Sequence, residues 1–146
     1  MSVFTAGQKI RASDLNRACP TELEQGSTSD YTLTTSYADI PGASITFTTV
    51  VPNAVVVIYA HFDLRIVANN TGYCYGAVAI DGTRHADQSV QVKQSVEDRG
   101  GDMLRIRTTL AVAGSHTIKL QARKDNLGTA LFAAPTTKLG LTVYGM

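Results

Sequence analysis

No apolar run in this sequence approaches the roughly 20 consecutive residues that a membrane-crossing helix needs; the longest lies around Ala54 to Ala60. The opening Met1-Ser2-Val3-Phe4-Thr5-Ala6-Gly7-Gln8 has neither the basic start nor the apolar stretch of a secretion signal, so synthesis in the cytoplasm is expected. Net charge is nearly absent: thirteen Lys and Arg against twelve Asp and Glu leave +1 over 146 residues. No global field then draws the chain to nucleic acid or to an anionic membrane, and neither is expected as a partner. Only two cysteines occur, Cys19 and Cys74, far apart and in no metal-ligand spacing, so reduced thiols are expected rather than a disulfide. Tryptophan is missing altogether, which takes away one of the large aromatic platforms that sugar sites offer.

Catalytic signatures are missing as well. The histidines, His61, His85 and His116, stand in no His-x-x-x-His or comparable ligand spacing. There is no Gly-x-Ser-x-Gly elbow, and Gly114-Ser115-His116 reads as part of a hairpin, with His116 solvated and His85 in a loop. Gly100-Gly101 is followed by no helix or lysine in register for a phosphate loop, and Glu97 and Asp98 are adjacent and solvated. His61 and Asp63 share a parity that could hold a metal or an acid-base pair, but a hydrogen-bonded polar cluster at an interface is the commoner arrangement. The expectation is no catalytic residue, no metal, no cofactor and no enzyme.

What is present is alternation. From Ala54 to Val67, one parity carries Val56, Ile58, Ala60, Phe62, Leu64 and Ile66, and the other carries Tyr59, His61, Asp63 and Arg65. A strand separates these two sets onto opposite faces, whereas a helix would scatter them. This stretch is read as a long central strand with one core face and one polar face. Around it, short β-rich pieces recur: Tyr31–Thr34, then Tyr37–Ile40 and Ser44–Thr49 with Pro41-Gly42 as a turn between them. Tyr73–Ile80 follows, ending in Asp81-Gly82, the pair a two-residue hairpin turn requires because both positions need positive φ. Val90 and Val92 read as a short edge strand, and Glu97 to Asp102 as exposed loop. Leu104 to Val112, His116 to Lys124 and Leu139 to Val143 alternate again.

This makes about eight strands and no helix in the domain, an all-β antiparallel sandwich. Long connections around 83–102 suit strands that change sheets, as in a jelly roll. The domain is placed at 29–146. Residues 1–28 differ in kind: Phe4, Ile10 and Leu15 are isolated apolar anchors in a polar segment with a short helical turn before Pro20, an extended arm suited to docking on another protein.

The stretch Phe4-Thr5-Ala6-Gly7-Gln8-Lys9-Ile10-Arg11-Ala12-Ser13-Asp14-Leu15-Asn16 resembles a segment near the start of many small structural proteins of tailed bacteriophages, which read like Phe-x-Ala-Gly-Gln-x-Leu-x-Ala-x-x-Leu-Asn. Ile10 stands where leucine is more usual. The domain, with its run from Leu110 to Ala122, is similar to the jelly-roll modules of phage tail, fibre and capsid-decorating proteins. The resemblance implies a virion protein that forms a homotrimer, with Phe4, Gln8, Ile10, Leu15 and Asn16 anchoring it to other proteins of capsid or tail. Tyr59, His61, Asp63 and Arg65, with Arg105 and Arg107 as charge complements to Asp63, would then form the subunit interface, with His61 as a pH-sensitive member. The alternative is a module that recognises a host glycan or receptor through loops near Tyr73 and Tyr75. A β-sandwich hydrolase is a third and weaker reading.

Overall fold

The computed structural model describes residues 19–68, 72–93, 99–125, 129–132 and 136–146. Among them there is no helix; ten strands run antiparallel in two packed sheets. In chain order they are β1 (Thr21–Gly26), β2 (Tyr31–Thr32), β3 (Ala38–Thr49), β4 (Ala54–Ala68), β5 (Gly72–Ile80), β6 (Thr83–Lys93), β7 (Arg99–Leu110), β8 (Gly114–Lys124), β9 (Thr129–Phe132) and β10 (Lys138–Tyr144).

The first sheet is built on β4. One edge of β4 pairs with β7 from Ala54 to Arg65; the other pairs with β10 from Val55 to His61 and then with β9 from Leu64 to Ala68. β1 lies outside β10 and β2 outside β9. The second sheet has the order β3-β8-β5-β6. On β4, Val56, Ile58, Ala60, Phe62 and Leu64 are all fully buried, in one core with Cys74, Val78, Ile118, Leu120 and Ala122 of the second sheet. Each large side chain so buried contributes roughly 1.5 to 3 kcal/mol. The sheets meet closely at Gly76, where an added Cβ would stand 2.7 Å from the Phe62 ring. Cys19 is exposed, Cys74 is buried, and neither is in a disulfide.

Among strands adjacent in sequence, β5 and β6 form the hairpin. Asp81 and Gly82 sit at its tip with φ of 48° and 81°, the left-handed pair that Asp-Gly implies. The chain otherwise crosses repeatedly between sheets, as the jelly-roll reading expects. Residues 111–113 are one such crossing: β7 pairs with β4 and β8 with β3 and β5, so the hairpin expected around Gly114 does not form.

Five further expectations are corrected. Pro41-Gly42 is a bulge inside the single 12-residue strand β3, not a turn between two strands. β3 is an edge strand, where proline's missing N–H costs no ladder bond, and Gly42 takes φ of 80° to absorb the shift. Arg99 to Asp102 are the start of β7 rather than loop, held in register against Phe62 to Arg65. Thr21–Gly26, assigned to the arm, form the edge strand β1 against β10, so the sandwich begins near Thr21 instead of Ser29. His85 lies in β6, and His116 is buried rather than solvated, its Nδ1 2.7 Å from Asp81 Oδ2 and its Nε2 3.0 Å from the Val112 carbonyl. The expected helical turn at 12–18 is outside the described residues.

Candidate functional site

The polar parity of β4 does share one face, the outer face of the first sheet. Its residues have very different surroundings. Tyr59 and Arg65 are exposed, His61 is half-buried, and Asp63 is buried at 7 % exposure. Asp63 is buried because its partners come from its own chain: Arg99 donates through Nε to Oδ1 at 3.1 Å and through Nη2 to Oδ2 at 2.7 Å. The Thr136 hydroxyl also donates to Oδ2, and the Thr137 hydroxyl accepts from the Asp63 backbone N–H at 3.2 Å. The hydrogen bonds from Arg99 hold the Asp63 carboxyl below its ordinary value of 3.8, against burial and with Thr136 assisting. His61 Nδ1 lies 2.6 Å from the Thr136 carbonyl, so the same segment contacts both His61 and Asp63. The pairing of Asp63 with Arg105 or Arg107 that the sequence suggested is therefore replaced by an internal pair.

Arg105 and Arg107 are on this face too, opposite Tyr59 and Val57. The Arg105 guanidinium lies 5.8 Å from the centre of the Tyr59 ring. The strand registers combine into rows across the sheet. Glu22, Thr142, Val57 and Arg107 form one row, and Glu24, Gly140, Tyr59 and Arg105 form the next row on the same face. Each row thus starts with a glutamate on the β1 edge and ends with an arginine on the β7 edge. Glu24 bonds Lys138 at 2.7 Å, while neither Glu22 nor Arg107 has an ionic partner among the described residues. Between the edges a shallow groove runs over Gly140, walled by Tyr59, Met103 and Glu24, with Met103 64 % exposed.

The outer face of the second sheet carries a second group of tyrosines, Tyr37, Tyr73 and Tyr75. Tyr73 and Tyr75 lie in β5, in the strand expected over Tyr73–Ile80, their rings 6.4 Å apart. Tyr37, Arg84 and Arg123 join them from the segment before β3, from β6 and from β8. The sequence reading named Tyr73 and Tyr75 but not Tyr37, Arg84 or Arg123 beside them, and it gave no site role to Arg99, Thr136, Glu22 or Glu24. Strand alternation does mark Arg123 as outward-facing, but its neighbours follow only from the register of three strands. Phe4, Gln8, Ile10, Leu15 and Asn16 lie outside the described residues. Among the described residues no three of His, Cys, Asp and Glu gather where they could hold a metal ion.

No family model matches the chain, and no curated protein matches it. Similar solved structures exist at low identity. A viral particle of infectious bursal disease virus has a chain 13 % identical, with a TM-score of 0.52 over 86 % of this chain and 31 % of that one. The mutant VP2 protein of the same virus, in T=1 particles, is 11 % identical with a TM-score of 0.52, over 86 % of this chain and 32 % of that one. Dimeric latent PorU from Porphyromonas gingivalis is 11 % identical with a TM-score of 0.51, over 99 % of this chain and 14 % of that one. The chain spans a third or less of each. These likenesses establish the fold, a β-sandwich also found in virus-particle proteins.

Proposed function

We propose that this chain is a non-enzymatic structural protein of a tailed-phage virion, a homotrimer fixed to the tail or the outer capsid surface through residues N-terminal to β1. The observation that carries the assembly is the charge order of the two rows, glutamates on the β1 edge and arginines on the β7 edge. β1 runs parallel to β4 and β7 antiparallel to it, so a copy laid beside the first presents β7 antiparallel to β1. At equal height it also brings Arg107 to Glu22 and Arg105 to Glu24. Rotation about an axis along the strands preserves that direction at every seam, and such head-to-tail contacts close into a ring. The number three, the phage particle and the anchoring role of Phe4, Gln8, Ile10, Leu15 and Asn16 rest on the resemblance of the opening segment.

The test is charge reversal followed by sedimentation. Glu22→Arg and Arg107→Glu each shift the trimer toward monomer, and the double variant restores it. A wild-type chain that sediments as a monomer, or a double variant no better than the singles, overturns the reading. Deleting residues 1–18 leaves a folded trimer that no longer joins particles.

A further inference from the structure

Arg84 and Arg123 are pressed against one tyrosine. Their guanidinium carbons lie 4.2 and 5.3 Å from the centre of the Tyr37 ring, and Arg123 also lies 3.9 Å from the centre of Tyr75. Neither arginine has a carboxylate partner among the described residues. Asp39, on the same face, is already held by Lys119 at 2.7 Å and Gln121 at 2.8 Å. Asp125 is turned to the Tyr73 backbone N–H at 2.9 Å. Two cations at one ring, without a carboxylate partner among the described residues, repel each other, and an anion within reach of both relieves that repulsion. A guanidinium held over a ring can still use its N–H groups, and a guanidinium grips a carboxylate with two parallel bonds.

Beside this pair Tyr73 is 48 % exposed, and its ring is next to that of Tyr75, which Arg123 covers. An exposed tyrosine next to a pair of guanidinium groups matches a sugar ring that bears its own carboxylate. We propose that the outer face of the second sheet binds an acidic polysaccharide, with a uronate carboxylate on Arg84 and Arg123 and the adjoining pyranose face on Tyr73. An acidic peptide carries its carboxylates on flexible stems and gains little from the ring beside them. The site is independent of the proposed assembly, since it lies on the other sheet.

The test is calorimetric titration of the full-length chain with oligogalacturonate, with a neutral galactan oligomer of equal length and with polyglutamate. Oligogalacturonate binds and the neutral oligomer does not. Arg84→Gln, Arg123→Gln and Tyr73→Ala each weaken binding by about tenfold or more, at unchanged melting temperature. Arg123→Lys, which keeps the charge and loses the fork, also weakens it. Arg84 and Tyr73 are exposed, so those two variants decide the matter if Arg123→Gln fails to fold. Absence of oligogalacturonate binding, or equal binding by the variants, overturns the proposal. So does polyglutamate binding as tightly, which would make the face a dock for an acidic protein.

Discussion

Arg99 holds both carboxylate oxygens of Asp63 from the neighbouring strand, and in doing so places a half-exposed cation over a nearly buried anion. The two ends of this pair are unequal. Without Arg99, Asp63 keeps its charge in a site with little water; without the Asp63 charge, Arg99 returns to solvent. Arg99→Ala is therefore expected to lower stability more than Asp63→Asn at neutral pH, and the double variant to recover part of the loss. Because the Asp63 carboxyl titrates below 3.8 in the folded chain, its contribution is present above that value and is lost as pH falls through the folded pKa. The gap between wild type and Arg99→Ala in urea denaturation should accordingly close in acid. The reverse order of the two single variants would contradict this account.

A second titrating pair ties the β5–β6 turn to the end of the sandwich. Asp81 accepts from the Thr117 backbone N–H at 2.8 Å and faces His116 Nδ1, while His116 Nε2 faces the Val112 carbonyl. Both ring nitrogens point at acceptors, so the charged imidazolium satisfies both. The hydrogen bond to Asp81 raises the His116 pKa above 6.5, against burial and with the Val112 carbonyl assisting. Burial opposes ionisation of Asp81, yet the bonds from His116 and Thr117 leave its pKa below 3.8. His116 thus stabilises the fold fully below pH 6.5 and loses that contribution as pH rises through its raised folded value. Asp81 contributes above 3.8 and loses it as pH falls through its lowered value. Asp81→Asn keeps a residue that tolerates positive φ and removes the charge. An NMR titration should show the His116 pKa lower in that variant, with the alkaline loss of stability starting at lower pH. An unmoved His116 would separate the two residues.

These pairs mark what the sequence could and could not disclose. β4 was legible because strand parity is a local property: Val56 to Leu64 alternate with Tyr59, His61 and Asp63 without help from any other strand. The Asp81-Gly82 turn was legible for the same reason, since positive φ at both positions restricts residue choice. Partners were not legible. Asp63 lies 36 positions from Arg99, and Asp81 35 from His116, distances that only the register resolves. Pro41-Gly42 carries the same local signal for a bulge as for a turn. The three-residue crossing at 111–113 looks like a hairpin because nothing in it encodes which sheet receives the next strand. The rows ending in Glu22 and Arg107 required three registers at once.

The bulge at position 42 is tied to Thr28, a contact that a free turn would lack. At φ of 80° an added Cβ would be strained, and it would also stand 2.7 Å from the Thr28 backbone nitrogen. That nitrogen donates to the Pro41 carbonyl at 3.1 Å, joining the residues after β1 to the bulge of β3. Gly42→Ala should cost more than about 1 kcal/mol, because the backbone conformation and the space both disfavour it. Amide exchange at Thr28 should quicken in the variant. Unchanged exchange at Thr28 would mean that this amide is not held by the bulge.

Gly76 and Phe62 make the sharpest packing prediction. Phe62 is fully buried on β4, and its ring occupies the space where a side chain at position 76 of β5 would stand, with three ring carbons within 2.8 Å of the added Cβ. Phe62→Ala should cost about 3 to 5 kcal/mol, the usual range for emptying a core aromatic site. Gly76→Ala should cost about 1 to 3 kcal/mol by overpacking, since the ring is enclosed by the core and cannot swing aside. The two errors have opposite sign in volume and share one contact. Gly76→Ala introduced together with Phe62→Leu should therefore cost less than the sum of the two single changes, by about 0.5 kcal/mol or more. Denaturant midpoints for the four proteins of this cycle, compared at equal slope, read the coupling directly. Strict additivity would mean that the ring relaxes away from position 76 and that the two sheets are not held apart by this contact.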